Sequence, residues 1–569
     1  PNFLNKKING KWVEYSSAEV YDIIHELALG LIKLGLKRNE KVAIISGNRP
    51  EWNFIDLAVQ ILGGVTVPIY PTITVEDFVY IFNDSQVKLV FVENEELLEK
   101  ASEARKSVKS IEEIYTFNAI SGQKKWDEIL ERGSSSKFNT LDKYKSEVDK
   151  NDLLTLIYTS GTTGKPKGVM LSHFNIISNV HSIVRGNFFE LVEGDRSLSF
   201  LPMCHIYERT NIYLYFYYRV SIYYAESMET IADNIREVKP HVFATVPRLL
   251  EKVFDKIVAK GSELEGFKKK LFFGAIEFGL KYDPMESLSF MDKIRYSVYG
   301  KLIFSKWREA LGGSIKLITS GSAALQPRLS RVFWAAGIPI AEGYGLTETS
   351  PVISVSKVKP PDFKIGCVGT IIDCMEVRIA EDGEILTKGD SVMQGYYNNP
   401  EATAEAIDKD GWFHTGDIGE LVEGKYLKIT DRKKEIFKTS GGKYVAPQMV
   451  ENKLKESKFI EQCIVVGENQ KFPSALLVPE FEALKLWANQ NGINFNSTKD
   501  LIENTAVIKL FDQEVDKTME SVAQYEKVKK FILLSEMFTI EAGELTPTLK
   551  LKRKVLNAKY KEQIEGIYL

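Results

Sequence analysis

Residues 158–168 read Tyr158-Thr159-Ser160-Gly161-Thr162-Thr163-Gly164-Lys165-Pro166-Lys167-Gly168. These residue types, at this density, suit a phosphate group. Gly161, Gly164 and Gly168 let backbone N–H groups close on an anion, the four hydroxyls of Thr159, Ser160, Thr162 and Thr163 add donors, and Lys165 and Lys167 add charge. The run is not a Walker A loop, which needs four residues between its glycine and Gly-Lys-Ser/Thr; here Gly161 and Gly164 stand two apart and Pro166 follows the lysine. Pro166 also argues against a helix leaving the loop directly. The plain alternative, a flexible surface loop, rarely gathers so many φ-permissive and anion-binding residues.

Such a loop needs rigid elements behind it. Leu153–Tyr158 is a short apolar run, expected as a strand. Upstream, apolar-periodic stretches (Val20–Leu36, opened by a Ser16/Glu19 capping box, then Glu51–Leu62 and Val75–Phe82) alternate with apolar runs at 41–45, 65–70 and 88–92. That rhythm predicts βαβ units and a mostly parallel sheet. It returns at Leu153–Tyr158, Val242–Val246, Ile315–Thr319 and Ile338–Ala341, each running into Gly-, Ser- or Pro-rich sequence where an α/β fold keeps ligand loops. The aromatic run Ile212–Tyr224 reads as a buried strand. From about Ile365 the texture becomes a β-meander, with turns at Asp382-Gly383 and Glu423-Gly424. Asp431-Arg432-Lys433-Lys434 is a charged break, after which the chain has its own small α+β pattern. The expected fold is therefore α/β, with a large N-terminal domain (1–430) of βαβ layers plus β-meander and a small mobile α+β C-terminal domain (431–569).

At 569 residues the chain exceeds what one core organises. A net charge of −3 supplies no field to attract nucleic acid. The four cysteines (Cys204, Cys367, Cys374, Cys463) show no paired or metal-ligand spacing and read as reduced thiols of a cytoplasmic protein. No apolar run reaches the length of a membrane span, although peripheral membrane contact through an apolar patch and a homodimer both stay open. The start, Pro1-Asn2-Phe3, has neither an initiator Met nor a signal-peptide pattern and reads as a trimmed or incomplete N-terminus.

The glycine-rich loop resembles the phosphate-binding motif of the adenylate-forming enzymes, the superfamily of acyl-CoA synthetases, adenylation domains and beetle luciferases. Further blocks, in the family's order, extend the resemblance over nearly the whole chain. Gly343-Tyr344-Gly345-Leu346-Thr347-Glu348 is similar to the segment that implies Tyr344 on adenine, Thr347 on phosphate and Glu348 on Mg²⁺, with the Thr159 hydroxyl also expected near the metal. Gly321-Ser322-Ala323 resembles the turn lining the adenine pocket. Asp417, in Thr415-Gly416-Asp417, resembles the ribose-binding aspartate, and Arg432 its partner; alone, that tripeptide would be an ordinary turn. Lys550, in Thr546-Pro547-Thr548-Leu549-Lys550, looks like the catalytic lysine. Leu549 stands where the commoner version has glycine, and the form is most like the long-chain fatty acid–CoA ligases; Lys552 is the second candidate. Lys438, Gly441 and Gly442 resemble the loop that enters for thioester formation, and Lys434 matches the hinge. Leu201-Pro202-Met203-Cys204-His205-Ile206-Tyr207-Glu208-Arg209 resembles the segment bordering the carboxylate pocket, with His205 as the site residue; a lone His after a strand would otherwise be structural.

The resemblance implies a long-chain fatty acid–CoA ligase with fatty acid, ATP and CoA as substrates and Mg²⁺ as cofactor. The carboxylate would attack the α-phosphorus of ATP and the acyl-adenylate would then pass to a thiol. Rival readings are an acyl-AMP ligase loading a carrier protein, a luciferase-like oxidation, and a non-catalytic nucleotide-binding scaffold that assists lipid uptake.

Overall fold

The computed structural model describes residues 2–134, 136–159, 165–359, 362–520, 522–540, 542–546 and 550–569. Two compact units divide the chain: residues 1–378, 386–415 and 421–428 form one, and 379–385, 416–420 and 429–569 the other.

The larger unit holds two sheets. The first has seven strands, in the order 395–396, 167–172, 153–159, 65–68, 41–45, 87–92 and 113–116. Its centre is parallel, Lys41–Ile45 pairing with Val65–Pro68 on one side and Val87–Val92 on the other. Helices Pro50–Ile61, Val75–Ser85 and Glu95–Arg105 make the crossovers. The expected caps are present: Ser16 and Glu19 close a reciprocal capping box on helix Ser17–Lys33, and Thr74 and Asp77 do the same for Val75–Ser85. Val67, Phe78, Phe82, Val90 and Leu156 fill one side of this sheet. In the second sheet, of thirteen strands, strands 340–345, 317–320, 242–245, 196–199, 221–224 and 2–8 run parallel, with 352–355 and then 370–371 added antiparallel on one side, where the sheet continues, and 11–16 antiparallel at the far edge.

One expectation is corrected. Ile212–Tyr224 is not one strand: Ile206–Tyr218 is a helix and only Ser221–Tyr224 is strand. The His205 ring accepts the Tyr207 N–H at the helix start, and Arg219, at φ 56°, closes it in the left-handed conformation. Residues from Ile206 to Tyr215 are buried on several sides, which erases the apolar periodicity that marks a surface helix.

Burial of this helix brings Arg209 into the other sheet. Its guanidinium donates to Asp56 Oδ1 at 2.5 Å, Thr66 Oγ1 at 2.7 Å, Thr155 Oγ1 at 2.7 Å and the Tyr213 hydroxyl at 2.9 Å. Arg209 sits on the crossover between two strands of the second sheet, while Asp56, Thr66 and Thr155 belong to the first. A fully buried ion pair gives little net stability against apolar side chains, but it fixes register, because an unpaired charge there is costly.

The meander is present as Met375–Ile379, Glu384–Gly389, Phe413–Val422 and Tyr426–Arg432. Glu423 and Gly424, at φ 55° and 65°, make the tight left-handed turn that Glu-Gly was expected to make. The charged break at 431 is part of a strand through Arg432, and the boundary between the compact units falls within these strands rather than at a linker.

The smaller unit is built on strands Ile460–Val466, Ser474–Pro479 and Lys530–Leu533. Helices Pro447–Leu454 and Thr505–Thr518 contribute to one core, and the C-terminal helices Arg553–Lys559 and Lys561–Tyr568 to a second. Among the described residues no helix is long and apolar enough to cross a membrane.

Candidate functional site

In the larger unit the glycine-rich run joins strand Leu153–Thr159 to strand Lys167–Ser172, paired antiparallel from Leu153↔Ser172 to Thr159↔Lys167. A strand, not a helix, follows Pro166, as expected. Ser160, Gly161, Thr162, Thr163 and Gly164 lie outside the described residues. The residues flanking them are anchored by aromatic rings. The Tyr158 hydroxyl donates to Asp84 at 2.5 Å, and burial, followed by that carboxylate, raises its pKa so that the phenol stays protonated. Lys165 lies 5.2 Å over the ring of Tyr80, and Lys167 4.8 Å over that of Tyr396.

Tyr396 connects this hairpin to the second motif. Its backbone pairs with Val169, which presents its phenol to Glu348; the hydroxyl donates to Glu348 Oε1 at 2.8 Å. The Glu348 backbone carbonyl accepts the Met393 N–H at 2.8 Å. Thr347-Glu348-Thr349 is a single 3₁₀ turn following strand Ile340–Gly345, and Thr349 holds it by bonding the Leu346 backbone. Gly345 is obligatory there: a Cβ would stand 1.7 Å from the Pro351 carbonyl oxygen of the facing strand. Gly343 and Tyr344 pair with Val355 and Ser354.

The turn Gly321-Ser322-Ala323 leaves strand Leu317–Ser320 with Ser322 and Ala323 exposed and Ser322 at φ 69°. Tyr207 covers Gly321, whose added Cβ would meet the ring at 3.2 Å, and its hydroxyl donates to Thr319 Oγ1 at 2.9 Å. His205, two residues upstream, is half-buried at the helix N-terminus. It thus has a structural task, capping, beside the site role expected of it.

Two buried carboxyls flank these elements. Burial pushes the pKa of Glu208 up to about 8, its carboxyl accepting from Ser199 at 2.6 Å, and burial likewise pushes Glu342, beside Gly343, up to about 8. Both are therefore largely protonated at neutral pH and add little negative charge beside these elements.

In the smaller unit, Arg432 Nε lies 3.3 Å from Asp417 Oδ1, so the two expected ribose-binding residues are side by side. Glu384 supports them: its carboxylate accepts the Gly416 N–H at 2.9 Å and holds Lys433 at 2.8 Å. Lys434 is exposed in the following turn. Lys438, Gly441 and Gly442 are exposed on the small hairpin of Phe437–Lys438 and Tyr444–Val445, with Gly442 at φ 78°. Lys550 is exposed; its carbonyl accepts the Thr546 N–H at 2.8 Å and its own N–H donates to Thr546 Oγ1 at 3.0 Å. Pro547, Thr548 and Leu549 lie outside the described residues. Lys552 is half-buried and starts helix Arg553–Lys559.

The sequence reading missed Tyr396, Asp84 and Glu384. Tyr396 stands 48 residues from Glu348, within Gly395-Tyr396-Tyr397, and only a strand pairing brings the two together.

Residues 3–397 match the AMP-binding enzyme family, and residues 434–569 match the AMP-binding enzyme C-terminal domain. Long-chain-fatty-acid–CoA ligase FadD15 of Mycobacterium bovis is 36% identical over 565 residues, covering 99% of this chain and 93% of the relative. Human long-chain-fatty-acid–CoA ligase 1 is 32% identical over 592 residues, covering 98% and 82%. Among solved structures, the adenylation domain of a carboxylate reductase from Mycobacterium chelonae superposes with a TM-score of 0.77 at 22% identity, covering 100% of this chain and 88% of that one, which shows the same fold. The chain therefore belongs to the AMP-binding enzymes, the adenylate-forming family that use ATP and CoA. Full-length likeness to these relatives puts it in the branch of the long-chain-fatty-acid–CoA ligases.

Proposed function

We propose that the protein activates a long-chain fatty carboxylate with ATP, releasing pyrophosphate, and passes the acyl group from the adenylate to the thiol of CoA. The observation that carries this reading is the Lys167–Tyr396–Glu348 chain. It joins the base of the phosphate-binding hairpin to a carboxylate, the minimum an enzyme needs to hold a metal-complexed triphosphate.

The residues fit Mg²⁺. Glu348 and the hydroxyls of Thr159 and Thr347 are hard oxygen donors, and the second Glu348 oxygen has no protein partner among the described residues. No group of three or more His, Cys, Asp or Glu among the described residues could hold a metal, so the donor set is one that substrate phosphates complete. When bound, Mg²⁺ screens the phosphate charge during displacement at the α-phosphorus. The chain's own groups do the rest. Lys165 and Lys167 draw the phosphates to the hairpin; Tyr344 and the 321–323 turn receive adenine; Asp417, oriented by Arg432, accepts the ribose hydroxyls; His205 borders the carboxylate. Lys550 bridges the two substrates and balances charge on the non-bridging oxygens as pyrophosphate leaves.

For transfer to CoA, Gly441 and Gly442 leave room for a thiol-bearing arm, and Lys438 supplies charge beside them. Lys434, exposed in a turn near the start of the 431–569 domain, is the position whose backbone rotation exchanges Lys550 for that hairpin. The four cysteines, of which Cys204, Cys367 and Cys463 are buried, are not joined in disulfides, which supports a cytoplasmic setting.

ATP–pyrophosphate exchange across fatty acids of graded length, with and without CoA, tests the reading. Exchange that rises with acyl length, and AMP release accelerated by CoA, are expected. Exchange with no carboxylate at all would refute it, and AMP release accelerated only by a phosphopantetheinylated carrier protein would move the acceptor from CoA to that carrier.

A further inference from the structure

Helix Phe290–Tyr299 continues through the wide turn Gly300–Phe304 into helix Ser305–Ala310. One side of it is packed: Tyr296 stacks on Tyr282 with ring centroids 5.4 Å apart, Tyr299 meets Phe278 at 5.8 Å, and Ile303 and Phe304 are buried. The opposite side is apolar too. Phe290, Met291, Ile294, Val298 and Leu302 are between 40% and 77% exposed. At 100° per residue they fall within an arc of roughly 120°. A surface helix that turns a continuous apolar stripe to water has a partner in function.

Charge decides which partner. The whole chain is acidic, at −3, yet residues 266–306 carry eight basic and four acidic side chains. Three of those acids are already paired, Glu277 with Lys281, Asp292 with Arg295 and Asp283 with Arg331. Lys268, Lys270, Lys293, Lys301 and Lys306 have no ion-pair partner among the described residues. On the same helix Lys293 lies beyond the Phe290 edge of the stripe and Lys301 falls between Phe290 and Ile294, and Lys301 and Arg308 also line an open groove with Tyr296 and Ser305. An exposed apolar stripe with long, flexible lysines at and just inside one edge is the arrangement of a helix lying in the plane of an anionic membrane surface, where the lysine stems carry their charge up to the headgroups. A second copy fits worse, since a two-fold contact through this stripe would bring the same lysines face to face.

We infer that residues 290–302 form a docking surface for an anionic lipid bilayer. Phe290, Met291, Ile294, Val298 and Leu302 enter the headgroup–acyl boundary, and Lys293 and Lys301 meet lipid phosphates. The inference does not depend on turnover, so its failure and the failure of the ligase reading are separable.

The test uses the full chain and sedimentation with vesicles of phosphatidylcholine alone or with about a third phosphatidylglycerol. Binding to the anionic vesicles that weakens at high salt is expected. Phe290→Ser with Ile294→Ser should lower partitioning by about tenfold or more, because two of the five inserted side chains, the most exposed one among them, are lost. Lys293→Glu with Lys301→Glu should abolish the preference for anionic lipid. Both pairs are solvent-facing and should leave adenylation of a water-soluble short carboxylate unchanged. Phe290→Trp reports position: a blue-shifted emission quenched by brominated acyl chains supports the assignment. The inference is overturned if the protein does not sediment with anionic vesicles at low salt, or if it sediments while that tryptophan stays unquenched. It is also overturned if the lipid-free protein is a dimer that Phe290→Ser with Ile294→Ser dissociates.

Discussion

Tyr396→Phe isolates a single interaction. It removes the hydroxyl 2.8 Å from Glu348 Oε1 and keeps the ring, and with it the Lys167 contact at 4.8 Å and the packing against Val169, Met393 and Phe413. A hydrogen bond to a charged acceptor contributes about 1.5–3 kcal/mol. Glu348 is half-buried rather than enclosed, so part of the lost bond returns as a bond to water, and about 2 kcal/mol is the figure to expect. At 1.36 kcal/mol per tenfold, that corresponds to a loss of roughly thirtyfold in kcat/KM for ATP–pyrophosphate exchange. The carboxylate orients metal-bound phosphates only in the first half-reaction, so thioester formation from supplied acyl-AMP should stay within about twofold of the parent. Tyr396→Ala, which also removes the platform under Lys167, should lose more. Equal loss in both half-reactions, or full exchange activity in Tyr396→Phe, refutes the role given to the Lys167–Tyr396–Glu348 chain.

Lys550→Ala should abolish adenylate formation, by about 10²–10³-fold in rate, while sparing thioester formation from acyl-AMP; loss from Lys552→Ala instead would move the role there. Gly345→Ala forces a Cβ against the Pro351 carbonyl and should cost several kcal/mol or shift the Gly343–Glu348 segment, read as weakened ATP binding by calorimetry; binding equal to the parent would show that the strand pair yields. Burial pushes the Asp431 pKa up to about 7 from an ordinary 3.8. The folded chain therefore holds a proton that the unfolded chain has released, and its contribution to stability is complete below pH 3.8 and is lost as pH rises through 7. Asp431→Asn should flatten the pH dependence of unfolding between those limits by up to about 1.4 kcal/mol per pH unit, measured as urea midpoints at several pH values, and identical slopes for variant and parent would contradict the burial argument.

Much of this molecule is legible in its sequence because local signals and tertiary structure agree. Ser16 and Glu19 announce a helix and cap one; Glu423-Gly424 announces a tight turn and adopts it; Pro166 is followed by strand. The candidate site is legible where it is contiguous, in 158–168 and 343–348. It is illegible where chain-distant residues complete it. Tyr396 reaches Glu348 through a two-residue strand, and Tyr158 reaches Asp84 across 74 residues, distances at which no periodicity operates. Ile206–Tyr218 is misread for a related reason: it is buried on several sides, so its aromatic residues follow the packing of neighbours rather than a face of their own.

Arg209 sets a length inside the larger unit. The turn at Gly321 ends a strand of one sheet and the hairpin at 158–168 belongs to the other, and the same guanidinium clasps helix, strand and strand where those sheets meet. Sliding one sheet along the other would strand a charge in a dry interior, so the gap between the two loops is held as if by a gauge block. Any ligand that reached from the one loop to the other would meet a span set before it arrives.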